Sequence, residues 1–222
     1  MATLVSGRRS RLAAALILAA VGVAPLLVGG CVGRQSAKSA ANAGKTTDDL
    51  TTAEGQDVVL LRAAADGNVF RVRDLLDAGA NIEAHASNGS TPLLGALYYR
   101  YPQTAELLIS RGANINVRTT QGVTPLHQAA WSDLPQICRL LIARGADPNV
   151  RTNDGVTPLM WGANRGYADV VQVLLEGGAR PDIRAPDGAT ALSLAQDAGH
   201  TDVVRLLEAA PAASPAAARP AG

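Results

Sequence analysis

The stretch NDGVTPLMWGANRGYADVVQVLLEGGARPDIR, residues 153–184, holds one structural unit of this chain, and its landmarks recur in steps of 33 residues. Gly-Ala stands at 79–80, 112–113, 145–146 and 178–179. Thr91-Pro92-Leu93, Thr124-Pro125-Leu126 and Thr157-Pro158-Leu159 keep the same step, continued by a degraded Thr190-Ala191-Leu192. Glycines 89, 122, 155 and 188 lie two residues ahead of each threonine, and leucines 75, 108, 141, 174 and 207 hold a further register. Markers in phase over this length mean stacked supersecondary units that share one continuous core.

Local chemistry explains the unit. Asp154-Gly155 is a turn pair, because glycine accepts positive φ without a steric penalty. Thr157 is placed to cap a helix with its hydroxyl, and Pro158 follows at the first helical position, where a missing N–H is harmless. Leu159 and Ala163 share a face of that helix, which should end near Gly166 in a left-handed residue. A second helix is expected from about Asp169 to Glu176, with Val170, Val171, Val173, Leu174 and Leu175 as its apolar side, closed by Gly177-Gly178. Two antiparallel helices and a projecting loop cannot bury these faces alone, so the unit needs neighbours.

The Asn/Asp-Gly-x-Thr-Pro-Leu openings, the full Thr124-Pro125-Leu126-His127-Gln128-Ala129-Ala130 and the Leu-Leu/Ile-x-x-Gly-Ala-Asn/Asp closings resemble the ankyrin repeat. The resemblance implies an all-α repeat solenoid of about five stacked ankyrin repeats, each a helix–turn–helix with a projecting loop or β-hairpin. The domain should span 53–208, with repeats at about 53–85, 86–118, 119–151, 152–184 and 185–208. The first keeps the closing half (Leu75 to Asn81) without Thr-Pro-Leu, as a terminal repeat with one face to water can. Two departures stand out: Arg100 and Asp133 occupy the place of the glycine after the first helix, so those ends must be capped differently or strained. Pro102 and Pro135 follow, suited to start the second helices.

The termini lie outside the repeat. Arg8, Arg9 and Arg11 precede a charge-free run, Leu12–Gly30, that leads to Val28-Gly29-Gly30-Cys31. A positive flank, an apolar run and a small-residue junction make a secretory signal. Its end resembles a bacterial lipoprotein signal, which implies that 1–30 is removed and that Cys31 becomes a lipidated first residue, acylated on both sulfur and nitrogen. A retained membrane helix competes, since the apolar run can just span a bilayer, although Pro25 and glycines 22, 29 and 30 weaken such a helix. Cleavage without lipid is the third reading. Residues 31–52, rich in Ser, Ala, Thr, Gly and Lys, read as a flexible tether, and 209–222 as a disordered Ala/Pro tail. The expected location is the cell envelope, lipid-anchored and facing the periplasm or the exterior.

Composition narrows the function. Within 53–208 there are 17 acidic and 13 basic residues, the opposite of the basic surplus of a general nucleic-acid binder, so no nucleic-acid partner is expected. If Cys31 is acylated, Cys138 is left single, beside Ile137 in an apolar second helix, and should behave as a small buried hydrophobe. His85, His127 and His200 fall in different units without metal-ligand spacing. By the resemblance, His127 and His200 serve structure. Gly44-Lys45-Thr46 mimics the end of a phosphate-binding loop, but Ser39 stands where its first glycine belongs. No nucleophile elbow, zinc-protease motif or catalytic carboxylate pair is present. The chain is therefore read as a non-catalytic monomer without cofactor or metal.

A protein partner is expected on the face that the family builds from loop fingers and first helices. His85, Arg118, Arg151 and Arg184 stand 33 apart just before each turn and should form a ladder along one edge. Guanidinium groups in a row suit a partner with an acidic surface, although Asp154 or Asp187 could equally pair with them. Tyr98, Tyr99 and Trp131 join the candidate contacts, with Asn164 and Arg165 at matching positions one unit on. Such residues dominate interface hot spots, but filling space beside the missing glycines explains these rings as well. Trp161 is expected in the core. The resulting reading is a membrane-tethered protein-binding scaffold or adaptor. An inhibitor or immunity-type protein acting on an envelope enzyme and a host-directed effector are the alternatives.

Overall fold

A computed structural model describes residues 53–210, so the expected signal and tether, 1–52, and all but the first two residues of the expected tail lie outside the described residues. Among the described residues ten helices follow one another: α1 (Ala53–Ala65), α2 (Val69–Asp77), α3 (Pro92–Tyr98), α4 (Pro102–Ser110), α5 (Pro125–Trp131), α6 (Pro135–Ala143), α7 (Pro158–Arg165), α8 (Ala168–Glu176), α9 (Ala191–Asp197) and α10 (Thr201–Ala209). Each consecutive pair is one repeat. The first helices α1, α3, α5, α7 and α9 stack in one row and the second helices in another, so each repeat packs on its neighbours in both layers.

The capping threonines act as the sequence requires. Thr91, Thr157 and Thr190 accept from the backbone N–H three residues on, at 3.5, 3.3 and 3.1 Å. Proline opens α3, α5 and α7 at the first position, and Pro102 and Pro135 open α4 and α6 as expected. The leucine register forms the spine of the core: Leu108, Leu141 and Leu174 are fully buried, while the terminal Leu75 and Leu207 keep a trace of exposure. Trp161 is fully buried and Cys138 lies in the same core.

Two expectations are refined. The fingers are turns rather than β-hairpins, with no strand among the described residues. Each has one closing rung, such as Thr119 N–H to the Val123 carbonyl at 3.0 Å, which is too short for a ladder. Neighbouring fingers are tied by Thr120 N–H to Asn88 O (3.1 Å) and Asn153 N–H to Gln121 O (3.0 Å). Of the two choices at the helix ends, the structure takes strain. Arg100 and Asp133 adopt the left-handed φ of 62° and 55° that Gly67, Gly166 and Gly199 adopt in the other repeats.

Candidate interaction surface

The finger arginines do form a ladder, but its rungs are backbone carbonyls rather than carboxylates. Arg118 Nη2 donates to Arg151 O at 2.9 Å, and Arg151 Nη2 donates to Arg184 O at 2.7 Å. Arg184 reaches Gly188 O in its own finger, at 3.5 Å. The Arg118 and Arg151 guanidinium groups each lie against a finger glycine. A Cβ on Gly122 would come within 2.6 Å of Arg118 Nη2, and one on Gly155 within 3.0 Å of Arg151 Nη2. Neither Asp154 nor Asp187 forms an ion pair with these arginines, and Asp187 instead accepts from Ala189 N–H at 3.0 Å. All three arginines remain exposed; Arg118 and Arg151 each tie their finger to the next, while Arg184 bonds within its own.

The aromatic candidates lie elsewhere. Tyr98 and Trp131 are the last residues of α3 and α5, Tyr99 caps α3, and Arg165 ends α7. They sit at the turn between the two helices of each repeat, at the opposite end of the first helices from the fingers. Seven helical residues separate the two sets by roughly 10 Å. The expected anchors therefore form two edges rather than one patch.

The turn edge is tightly organised. Tyr98 and Tyr99 meet edge to face at 5.0 Å. The Arg165 guanidinium lies 4.5 Å from the Trp131 ring centre and 5.5 Å from that of Tyr167, and donates to the Tyr167 hydroxyl at 3.0 Å. Trp131 packs edge-on against buried Trp161 at 5.6 Å, and Trp161 meets His127 at 5.3 Å. Trp131 thus packs on the core beneath it and offers a remaining face to Arg165. Arg100 and Asp133, the two strained residues, pair across the repeat boundary at 3.4 Å.

Sequence reading missed Tyr167, Tyr101 and the Arg100–Asp133 pair. The signal was available, since 101, 134, 167 and 200 form one more 33-residue register, holding Tyr, Leu, Tyr and His. Its members cover the left-handed residue of the preceding repeat: Tyr101 lies over Gly67, and His200 over Gly166 with its Nε2 3.0 Å from Asn164 O.

Two titratable groups in the core are tuned by burial. His127 Nε2 is 3.0 Å from Val156 O, a group that only accepts, so Nε2 carries the proton and Nδ1 takes the Thr124 hydroxyl (3.0 Å) and N–H (3.4 Å). Burial, aided by the nearby Arg118 charge, pushes its pKa down to about 4 against the opposing Val156 bond. Burial pushes the Cys138 thiol up to about 12, with Asp133 adding in the same sense. Both groups are therefore held neutral at pH 7. Among the described residues no group of three His, Cys, Asp or Glu could hold a metal, and no helix is long and apolar enough to cross a membrane. A cavity of about 80 Å³ beneath the fingers, lined by Asn116, Arg118, Leu126, Asp147 and Val150, is well below the few hundred Å³ of a small-molecule site.

The arrangement offers two surfaces, a polar finger edge and an aromatic turn edge on a shared core. No curated protein is similar enough to the chain to stand as a relative. The family model for ankyrin repeats, in three copies, matches residues 60–152 and 136–215. Those spans take in the leucine spine, the capped threonines and the finger turns, and the chain belongs to the ankyrin-repeat family.

Proposed function

We propose that this protein is a membrane-tethered, non-catalytic scaffold or adaptor that binds another protein in the bacterial cell envelope. In this reading residues 1–30 direct export, Cys31 carries the lipid, 31–52 form the tether, 53–208 bind, and 209–222 remain a tail. Each buried methylene contributes about 0.8 kcal/mol, so several acyl chains on one cysteine hold where a single chain would barely do so. The tether, of roughly 20 residues, would have a relaxed span of roughly 25 Å and would leave the solenoid free to meet a partner beside the membrane.

The observation that carries the binding role is the pair of pre-ordered edges on the solenoid, an exposed finger edge and a turn edge of half-buried rings beside exposed Tyr99 and Arg165. Arg118, Arg151 and Arg184 supply guanidinium donors on the fingers, and Tyr98, Tyr99, Trp131 and Arg165 supply the aromatic edge. Tethering is tested by feeding cells labelled palmitate. Label should enter the wild-type chain, be absent from Cys31→Ser, and leave the variant in the soluble fraction. Equal membrane retention of an unlabelled Cys31→Ser variant would replace the lipid with a retained helix.

A further inference from the structure

We infer that the turn edge of the second to fourth repeats, centred on Arg165, docks an acidic segment of a protein partner, with the stacked guanidinium taking one of its carboxylates. The inference rests on the protein-binding reading above and specifies which edge is used and for what chemistry.

Arg165 has the form of a carboxylate receptor with no carboxylate of its own. Its guanidinium carbon lies 4.5 Å from the Trp131 ring centre and 5.5 Å from that of Tyr167, and one donor is committed to the Tyr167 hydroxyl. A guanidinium carries five N–H donors in a rigid fork that matches a carboxylate, and stacking leaves its edge free to donate. Pre-ordering also removes rotamer entropy that binding would otherwise have to overcome. Six arginines pair with Asp or Glu, and among those that do not (Arg71, Arg73, Arg118, Arg144, Arg151, Arg184 and Arg165) it is Arg165 that lies against aromatic rings. Among the described residues no carboxylate pairs with Arg165, although 53–208 holds 17 acidic residues against 13 basic ones.

The strained backbone points to the same edge by a separate route. Three repeats use glycine at the left-handed position, while the second and third use Arg100 and Asp133. Those are the repeats whose first helices end in Tyr98 and Trp131, where the others have Ala65, Asn164 and Asp197. Backbone strain kept where glycine would relieve it marks positions whose side chains are needed. Here the side chains gained are a charged pair that ties the turn of the second repeat to that of the third. Trp131 and Tyr167 supply apolar contact at the ionic anchor, and Tyr98 and Tyr99 extend the aromatic edge two repeats back, the composition of a hot spot. An anionic membrane is disfavoured as occupant, because lipid surfaces are held by clusters of several basic residues, whereas Arg165 is a single guanidinium set among aromatic rings.

The probe is a short acetylated and amidated peptide of alternating glutamate and leucine, compared with the same peptide bearing glutamine for glutamate. NMR follows the Trp131 indole N–H and the Arg165 Nε–H during titration into the folded domain. The glutamate peptide should shift both signals saturably and the glutamine peptide should not. Arg165→Lys, which keeps the charge but loses the fork, should weaken binding on the order of tenfold. Arg205→Gln, at an exposed ion pair on the last helix, should leave it unchanged. The proposal is overturned if neither signal saturates below several millimolar peptide. It is also overturned if shifts concentrate on Arg118 and Arg151, in which case the protein-binding reading survives on the finger edge. Anionic phosphatidylglycerol vesicles moving the same signals more strongly than the peptide would replace the partner with a lipid surface. Failure of the palmitate label, by contrast, would remove the lipid anchor and leave this surface untouched.

Discussion

Acidification from pH 7 to pH 5 should weaken the fold through His127 alone by an amount that can be calculated. The ring is fully buried, and its pKa falls from the ordinary 6.5 to about 4. Between those values the unfolded chain binds a proton that the folded chain refuses, so stability rises with pH through this window. It is fully present above the unfolded value and is lost as pH falls toward the folded one. Linkage at these two pKa values gives a loss of about 2 kcal/mol from pH 7 to pH 5. The total would approach about 3 kcal/mol below pH 4, where carboxylates also titrate and obscure it. Urea denaturation of the folded domain at half-unit steps from pH 7 to pH 5 reads the effect, with His127→Gln as control. The control loses the Val156 bond and should be less stable at pH 7, yet flat across the same window. Equal pH slopes in wild type and control would refute the buried, neutral imidazole and the hydrogen-bond assignment with it.

The left-handed residues give a second test. Arg100→Gly and Asp133→Gly each relieve about 1–2 kcal/mol of backbone strain, offset by roughly 0.5–1 kcal/mol of glycine entropy. The partly exposed ion pair adds only about 0.2–1 kcal/mol, so the double variant should be more stable by about 1 kcal/mol in urea. A less stable double variant would mean that the pair contributes more than its exposure allows. Gly166→Ala should destabilise by about 1–2 kcal/mol, since φ is 77° and the new methyl would meet His200 at 2.6 Å; an unchanged midpoint would remove His200 from its covering role. Cys138 should react with a thiol reagent only as fast as the fold opens, because the thiol is buried and its pKa is about 12; rapid labelling of the native protein would contradict the packing.

The fold was legible because each marker has a local cause that survives in isolation: threonine caps, proline starts, and glycine at left-handed turns. The leucine register predicted the spine of the core, and Trp161 was placed correctly beside it. The candidate site was legible in its residues but not in its geometry. The finger arginines stood out by spacing, yet spacing alone does not tell whether a guanidinium finds aspartate or a neighbouring carbonyl. Asp154 and Asp187 were the obvious partners in sequence, while the closer acceptor was the backbone of the next finger. Tyr98 and Trp131 were visible as outliers, but one seven-residue helix separates their end from the fingers, and that length decides that the two sets are different edges. The Arg165 stack was hidden for a further reason. It joins residues from α5, α7 and the turn after α7, whose contact depends on the stacking of whole repeats.

The most direct test of a tethered protein-binding solenoid is crosslinked affinity capture of the full-length chain from its own membranes. It is run beside a variant carrying Tyr98→Ala, Trp131→Ala and Arg151→Ala, whose fold is checked by circular dichroism. The account predicts a specific envelope protein crosslinked to the wild type and lost from the variant. Identical, unselective recoveries from both would contradict it, leaving a stable ankyrin solenoid whose two edges are not where it binds.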